Sequence, residues 1–356
     1  MILTSFKYQA FNWFLSGLNH LGPSNLIVGS NSSGKSRTLH ALDYATAFIS
    51  MKPTMKNEVV FEAEFSFEIN SDTKSRLDYS FKYRIDRILE EKMVYEGRTI
   101  IDRTPDKAIL QEETINPPED KLIVQVRRDK TAYPEIEMLM EWAERVTYIS
   151  FSDINTFTTT IGPSLRINPL SFSDLVKKFT EEEKQLFYEE ARKIGYDISN
   201  IEVIDHPGLQ YVSIKEKFID NKIEEFNLSN GMMRVLYLLA FLIRMKNEGK
   251  YVLLLIDDLG EGLDYFKAVK LGEKVFENCE ASGIQLIASS NDSFLMDIVD
   301  LSKWQLLYRT GSQVKSLNAS AQPELFKEFS LTGLSNFDFF SSDFLSLHIE
   351  SVTRDK

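Results

Sequence analysis

Eight consecutive residues, Gly29-Ser30-Asn31-Ser32-Ser33-Gly34-Lys35-Ser36, have the types and spacing needed to hold a polyphosphate. They satisfy the pattern G-x-x-x-x-G-K-[ST] completely. Glycine at 29 and 34 lets the backbone turn its N–H groups toward phosphate oxygens, and a helix starting near Lys35 adds the positive end of its dipole. Lys35 would reach the β- and γ-phosphates, the Ser36 hydroxyl would ligate magnesium, and Arg37 closes the set. The competing reading is a glycine- and serine-rich loop that matches by chance. The segments on either side weigh against it: the apolar run Asn25-Leu26-Ile27-Val28 reads as a strand, and Leu39, Leu42, Ala45 and Phe48 fall at helical spacing.

Magnesium–phosphate chemistry also calls for an acidic residue at the end of a buried strand, and Tyr251 to Ile256 runs into Asp257-Asp258. Asp257 is the magnesium-supporting candidate. Asp258 is the candidate general base, on the argument that strand side chains alternate and the next residue can face the γ-phosphate. Paired aspartates after a strand also serve as caps or turns. A third element, Leu228-Ser229-Asn230-Gly231 with Arg234 after it, heads the apolar helix Met232 to Met245. Ser229 is an N-cap on either reading, and a serine-capped helix start is itself an anion site.

The elements that position these residues follow from periodicity. The opening stretch, Ile2 to Phe14, with breaks at Ser16-Gly17 and Gly22-Pro23, reads with the run at 25–28 as two short strands and a turn. Val60 to Ile69 alternates polar and apolar residues, the mark of a half-buried antiparallel strand, with Tyr79 to Ile85 and Arg98 to Asp102 as partners and turns near Ser71-Asp72 and Glu96-Gly97. Leu122 to Arg127 reads as a strand, Pro134 to Arg145 as a helix and Val146 to Ser150 as a strand. Two helices are expected over 171–195, one behind Ser173 and one behind the capping box at Thr180. Lys250 to Ile256 and Gly283 to Ser289 read as buried parallel strands. No heptad is sustained long enough for a coiled-coil arm.

Composition narrows the class. With 43% hydrophobic and 26% charged residues the chain is globular, not disordered. The longest apolar run, Val235 to Ile243, is too short to span a bilayer, so a soluble, cytoplasmic chain without a membrane partner is expected. Cys279 is the single cysteine, and His20, His40, His206 and His348 are far apart, which argues against disulfides and a structural zinc. A net charge of −12 disfavours non-specific binding to nucleic acid. The basic clusters Lys82-Arg84-Arg87 and Arg127-Arg128-Lys130 read more readily as solvated faces than as nucleic-acid contacts. Twenty-five phenylalanines and fourteen tyrosines hint at aromatic anchors in protein contacts.

In order along the chain, the octet at 29–36, the LSNG tetrad at 228–231, the strand ending at Asp257 and Gly260-Glu261-Gly262-Leu263-Asp264 resemble the ABC-type ATPases. Within them they are similar to the branch containing SMC, RecF and the overcoming-lysogenization-defect proteins. Met1 to Phe14 resembles that branch's N-terminal strand, and Ile284 to Asp292 its switch segment. The resemblance covers about 1–165 and 209–310. It implies an α/β head with a mixed, partly antiparallel N-terminal lobe, a mostly parallel core sheet flanked by helices, and a small helical insertion. The expected division is a first lobe over 1–165, the insertion over 166–208, a second lobe over 209–310 and an aromatic helical tail over 311–356. It further implies ATP and Mg2+ as cofactors, with Gly29 to Arg37 on the phosphates and Ser36 and Asp257 serving the metal. Ser229 and Gly231 would cover the nucleotide of another copy, and Leu263-Asp264 would be the D-loop. Two departures stand out. Asp258 replaces the usual glutamate and is one methylene shorter, which predicts slow hydrolysis. Asn291 stands where a histidine commonly senses the γ-phosphate, and an amide cannot titrate. Gln125 is a candidate for the Q-loop, against the plainer reading of an exposed strand glutamine.

Two classes of function remain open. The first is an ATPase subunit that forms homo-oligomers through nucleotide and controls a separate effector, as in antiphage systems such as PARIS, where similar ATPases are encoded beside toprim-like nucleases. The second is a RecF-like repair ATPase that binds DNA directly. Asp300 to Lys356 lacks the acidic pattern of a toprim nuclease, so any cleavage would belong to another chain.

Overall fold

A computed structural model describes residues 1–52, 59–70, 75–150, 170–207 and 209–342. Strands β1 (Ile2–Ala10), β2 (Trp13–Asn19) and β3 (Ser24–Val28) lead through the glycine octet into helix α1 (Lys35–Ile49). A run of strands follows: β4 (Val60–Asn70), β5 (Ser75–Arg84), β6 (Arg87–Tyr95), β7 (Arg98–Arg103), β8 (Ala108–Leu110) and β9 (Glu113–Ile115). Then come α2 (Ile123–Val126), α3 (Pro134–Glu144), β10 (Val146–Ile149), α4 (Phe172–Val176) and α5 (Glu181–Lys193). The strands β11 (Ile198–His206), β12 (Leu209–Glu216) and β13 (Ile223–Glu224) precede the long α6 (Asn230–Glu248). The chain continues through β14 (Leu253–Ile256), α7 (Tyr265–Ala281), β15 (Gln285–Ser289) and α8 (Ser293–Ile298). It closes with β16 (Trp304–Thr310), β17 (Gln313–Leu317), α9 (Pro323–Ser330) and α10 (Asn336–Ser341). The result is the mixed α/β class expected.

Two compact units divide the chain, one of Met1–Val146 with Leu301–Leu331, the other of Thr147–Asp300 with Thr332–Lys356. In the first, the strand order is β3-β16-β17-β2-β1-β4-β5-β6-β7-β8-β9. β3 pairs parallel with β16 and β2 parallel with β17, while β1, β4 and the strands after it form an antiparallel meander. The alternation read in β4 holds: Phe61, Ala63, Phe65 and Phe67 are buried. Phe61 is ringed by Tyr44, Phe48, Phe81 and Tyr83 at centroid distances of 5.0 to 5.5 Å, so many of the chain's aromatic rings are core of this sheet and its helix α1.

Three local expectations are corrected here. The N-terminal stretch forms three strands, with its first turn at Phe11-Asn12; Ser16-Gly17 lies inside β2. There Phe6 pairs with Leu18 and Tyr8 with Leu15, so the glycine marks a bulge, not a strand end. Arg98 to Arg103 pairs with β6, a strand the charged sequence Arg87 to Tyr95 conceals, and not with β4. The turn Ile85-Asp86, with both φ values positive, supplies the missing hairpin, and the turn at Glu96-Gly97 is as read. Leu122 to Arg127 is not a strand but the short helix α2. The turn expected near Ser71-Asp72 lies outside the described residues.

In the second unit β10, β14 and β15 are neighbours in that order, with β14 and β15 parallel as expected. A separate antiparallel sheet, β11-β12-β13, carries α4 and α5 on it. The stretch expected as a helical insertion thus ends in a strand. The cap of α4 is Ser171, two residues before Ser173, whereas the box at Thr180 is as read, with Glu183 N donating to Thr180 Oγ1 at 3.2 Å. Helix α6 is apolar nearly all round, with every residue from Val235 to Leu242 buried, so it serves as the hub of this unit. Helix α10 fastens onto α8: Phe337 N donates to Asp297 Oδ1 at 2.7 Å and Phe339 is fully buried.

Candidate functional site

The phosphate loop is built by close approach. Buried β3 ends at Val28, and a Cβ on Gly29 would lie 2.5 Å from the Leu307 carbonyl oxygen and 2.6 Å from Ser33 Oγ. Only glycine fits. Gly34 has φ of 107° and a Cβ there would meet Val314 Cγ2 at 3.0 Å, so the loop's second glycine is demanded by both backbone and space. Ser32 is also left-handed at φ 64°. Gly34 caps α1 without a side-chain bond, and the helix's own first turn holds no acidic residue to set against the positive end of its dipole. Lys35 is buried, and its ammonium donates to the carbonyls of Gly29 at 2.7 Å and Ser30 at 3.2 Å. Ser33 Oγ is buried with no hydrogen-bond partner among the described residues. Ser36 is half-buried, Ser30 and Asn31 are exposed, and the exposed Arg37 lies 4.9 Å over the Trp13 ring. These features fit a polyphosphate: backbone donors, a cation and a hydroxyl are gathered where an anion gains from all of them.

Asp257 closes the buried strand β14. It is 2% exposed, and Oδ1 accepts from Ser289 Oγ at 2.5 Å while Oδ2 accepts from the Tyr148 hydroxyl at 3.4 Å. Two donors therefore fix the carboxylate's orientation, as a metal-supporting group requires. Sequence reading missed both. The signal was present for Ser289: β14 and β15 pair in register, Ile256 with Ala288, so the next residue of each strand is a polar one at the same level. Asp258 differs from expectation. Its φ is 54°, so the chain has left the strand and a turn, not strand alternation, sets its direction; its N–H donates to Ser289 Oγ at 3.0 Å. Asn291 is exposed beyond the end of β15.

Ser229 caps α6, its hydroxyl accepting from Met232 N at 3.2 Å, and it is exposed at the surface of this unit. Gly231 is packed hard against the loop after Asp257: a Cβ would meet Leu263 Cδ2 at 3.0 Å and Gly262 O at 3.2 Å. Asp264 caps α7 through Lys267 N at 3.1 Å, and the Lys267 ammonium beside it holds its carboxyl below the usual range. Asp292 caps α8, and burial pushes its carboxyl above the usual range. Gln125 is not an exposed strand residue. It sits in α2, where its amide donates to Phe48 O at 2.7 Å and its Oε1 accepts from Leu122 N at 3.0 Å, so both ends serve structure.

A glycine loop between a buried strand and an uncapped helix, with a carboxylate closing a parallel strand, defines the P-loop ATPase class of α/β fold. The chain belongs to the family described as "AAA domain, putative AbiEii toxin, Type IV TA system", whose model matches residues 24–297. The fold is similar to that in the structure titled "Crystal structure of the SmcHead bound to the C-winged helix domain of ScpA", with a TM-score of 0.54, 16% identity, and coverage of 91% of this chain and 100% of that one. It is also similar to an Smc head from Pyrococcus furiosus bound to the C-terminal domain of ScpA, with a TM-score of 0.50, 14% identity, and coverage of 92% and 99%. At such identity the likeness concerns the fold alone, which is that of an ABC/SMC-type head. A comparison with curated proteins gives no match. Among the described residues no helix is long and apolar enough to cross a membrane.

Proposed function

We propose that the chain is an ATPase head that binds ATP with magnesium, associates with other copies of itself through the nucleotide, and thereby controls a separate effector, a nuclease or toxin in prokaryotic antiphage defence. The observation that carries the reading is the phosphate loop, where Gly29 admits no side chain and α1 begins uncapped behind the buried Lys35. When bound, ATP supplies the γ-phosphoryl group for transfer to water, and magnesium neutralises phosphate charge. Gly29 to Arg37 hold the phosphates, with Lys35 giving charge-assisted donors and Ser36 a hydroxyl for the metal. Asp257, oriented by Ser289 and Tyr148, supports the metal. Asp258 takes the proton of the attacking water from a side chain one methylene shorter than glutamate, so turnover is slow. Asn291 senses the γ-phosphate as a hydrogen-bonding group that does not titrate.

Ser229 and Gly231 cover the nucleotide of a second copy, which the exposed N-cap of α6 allows. A protein partner is supported by the titles of the similar heads, which name a bound ScpA domain, and a defence-type setting by the family's description, which names a putative toxin of a type IV TA system. A toprim-like nuclease, as in PARIS-type systems, is the effector favoured, in the cytoplasm. The DNA-repair alternative loses ground because four of the six cations in its basic clusters face carboxylates: Arg128 with Glu137 and Glu144, Lys130 with Glu141, Lys82 with Glu62, Arg87 with Glu119. Light scattering of the purified chain tests the proposal. The mass should at least double with ATP and magnesium and fall back when nucleotide is removed; a mass indifferent to ATP would reject nucleotide-driven association.

A further inference from the structure

Helix α6 and the loop after Asp257 are bound together by contacts that phosphate chemistry does not call for. Gly231 leaves no room for a side chain against Leu263 and Gly262, as described above. One turn on, Arg234 reaches the same loop: its Nη1 donates to the Glu261 carbonyl, and the Glu261 carboxylate is 3.9 Å away. The Arg234 side chain is 12% exposed, against 60% for Glu261, so the arginine is held in place while the bond it makes lies at the exposed loop.

The loop itself is stiffened around that point. Glu261 N donates to Asp258 O and Leu263 N to Gly260 O, each at 3.2 Å. Gly260 and Gly262, at φ of 88° and 74°, supply the left-handed turns on either side of the carbonyl that Arg234 holds. At its base, Leu259 N donates to Ser289 O at 2.8 Å and Ser290 Oγ to Leu259 O at 2.7 Å, while Ser289 Oγ is the donor to Asp257. A continuous series of bonds thus runs from the Asp257 carboxylate through Ser289 and the loop to Arg234, and back along the start of α6 to the Ser229 cap.

The geometry points to Arg234 as a positioning residue that passes the state of the Asp257–Asp258 strand end to the signature serine of the same chain, so that the nucleotide held by one copy and the nucleotide covered by its Ser229 are coupled. This rests on the nucleotide-sandwich reading proposed above. A coupling device needs two ends that respond and a link between them that can be cut without removing either. Ser229 and Asp257 are the ends, and the Arg234–Glu261 bond is the link.

Hydrogen exchange of the full-length chain, with and without ATP and magnesium, tests it alongside steady-state kinetics. In the native chain ATP should slow exchange together at residues 259–263 and at the Met232 and Met233 amides. In Arg234→Gln the loop should still respond while the first turn of α6 stays at its nucleotide-free rate, with kcat reduced about tenfold or more and KM for ATP changed less than about threefold. Arg234→Lys keeps a charged donor and should recover part of kcat, which a purely structural role does not predict. If Arg234→Gln melts at lower temperature yet keeps joint protection and kcat, or if Arg234→Lys folds and shows no recovery, the inference is overturned. Failure of the sandwich reading looks different: native chain whose 29–36 segment ATP protects but whose mass ATP leaves unchanged removes the second nucleotide, and the coupling falls with it.

Discussion

Lys35 contributes to the proposed site through charge, since its ammonium spends its present bonds on the loop's own carbonyls at Gly29 and Ser30. Replacing it takes this donor from those carbonyls and deprives the phosphates of their strongest donor, so Lys35→Ala should weaken ATP binding by roughly 100-fold or more, as charge-assisted bonds imply. Calorimetry checks this, and unchanged affinity would contradict the phosphate-loop assignment. Gly29 tests the same loop through space. A methyl group there would press on the Leu307 carbonyl oxygen at 2.5 Å, and backbone cannot yield as a side-chain tip can. Gly29→Ala should cost roughly 2–3 kcal/mol of stability, in the range of overpacking, and reduce nucleotide affinity as well. Equal denaturation midpoints for variant and native chains would show that the loop relaxes freely. At this scale the octet was legible because its function fixes both residue types and spacing. The role of Ser289 was not, because a serine at a strand end is common and only the pairing of β14 with β15 brings it to Asp257.

Helix α2 shows what sequence periodicity leaves out. Leu122-Ile123-Val124-Gln125-Val126 is β-branched and apolar and reads as a strand, but its first turn is capped from far away in the chain. The Glu91 carboxyl accepts from Ile123 N at 2.6 Å and Val124 N at 3.2 Å, and Gln125 closes the box at Leu122. A cap supplied from 32 residues upstream has no local signature. Charge, not distance, hid β6, which pairs with β5 across a two-residue turn but whose alternation is blurred by Glu90, Glu91 and Lys92, while the Thr180 box was legible because all its parts are local. Burial pushes the Glu91 carboxyl up to about 7 from its ordinary 4.5, a shift that the two backbone donors, the Tyr79 hydroxyl and Arg103 oppose only in part. Below about 4.5 folded and unfolded chains both keep this proton. Between 4.5 and 7 the unfolded chain gives it up first, so stability falls as pH rises, by about 3 kcal/mol in all, and levels off above 7. Glu91→Gln removes that slope: the variant should gain on the native chain between pH 4.5 and 7.5 in urea titrations, whereas parallel profiles would mean an unperturbed carboxyl. The start of α6 carries the other prediction at this scale. Ser229→Arg puts a bulky cation on an exposed cap that is proposed to meet a second copy's nucleotide. ATP binding by the monomer should persist while ATP-dependent mass increase disappears, and undiminished association would reject the role in trans.

The charge of the whole molecule bears on what the head can touch. A net charge of −12 opposes a phosphate backbone unless basic side chains gather without acidic neighbours. In the first unit most cations of the gatherings visible in the sequence face a carboxylate: Arg128 lies 2.9 Å from Glu137 and 2.5 Å from Glu144, Lys130 2.6 Å from Glu141, Arg87 2.8 Å from Glu119 and Lys82 3.3 Å from Glu62. Such surface pairs add little stability, on the order of 0–1 kcal/mol each, but each removes a cation that DNA would have to win from a carboxylate. A duplex meeting these clusters would therefore release few counterions. Fluorescence anisotropy with a labelled duplex should show affinity no tighter than the non-specific range of roughly 10⁻⁴–10⁻⁶ M at physiological salt, and little change in it between 50 and 200 mM. Tight binding that falls about a thousandfold or more over that interval would mean some six or more phosphate contacts. Contacts in that number would have to come from cations outside these ion pairs, and they would move the function from an effector-controlling head to one that engages DNA itself.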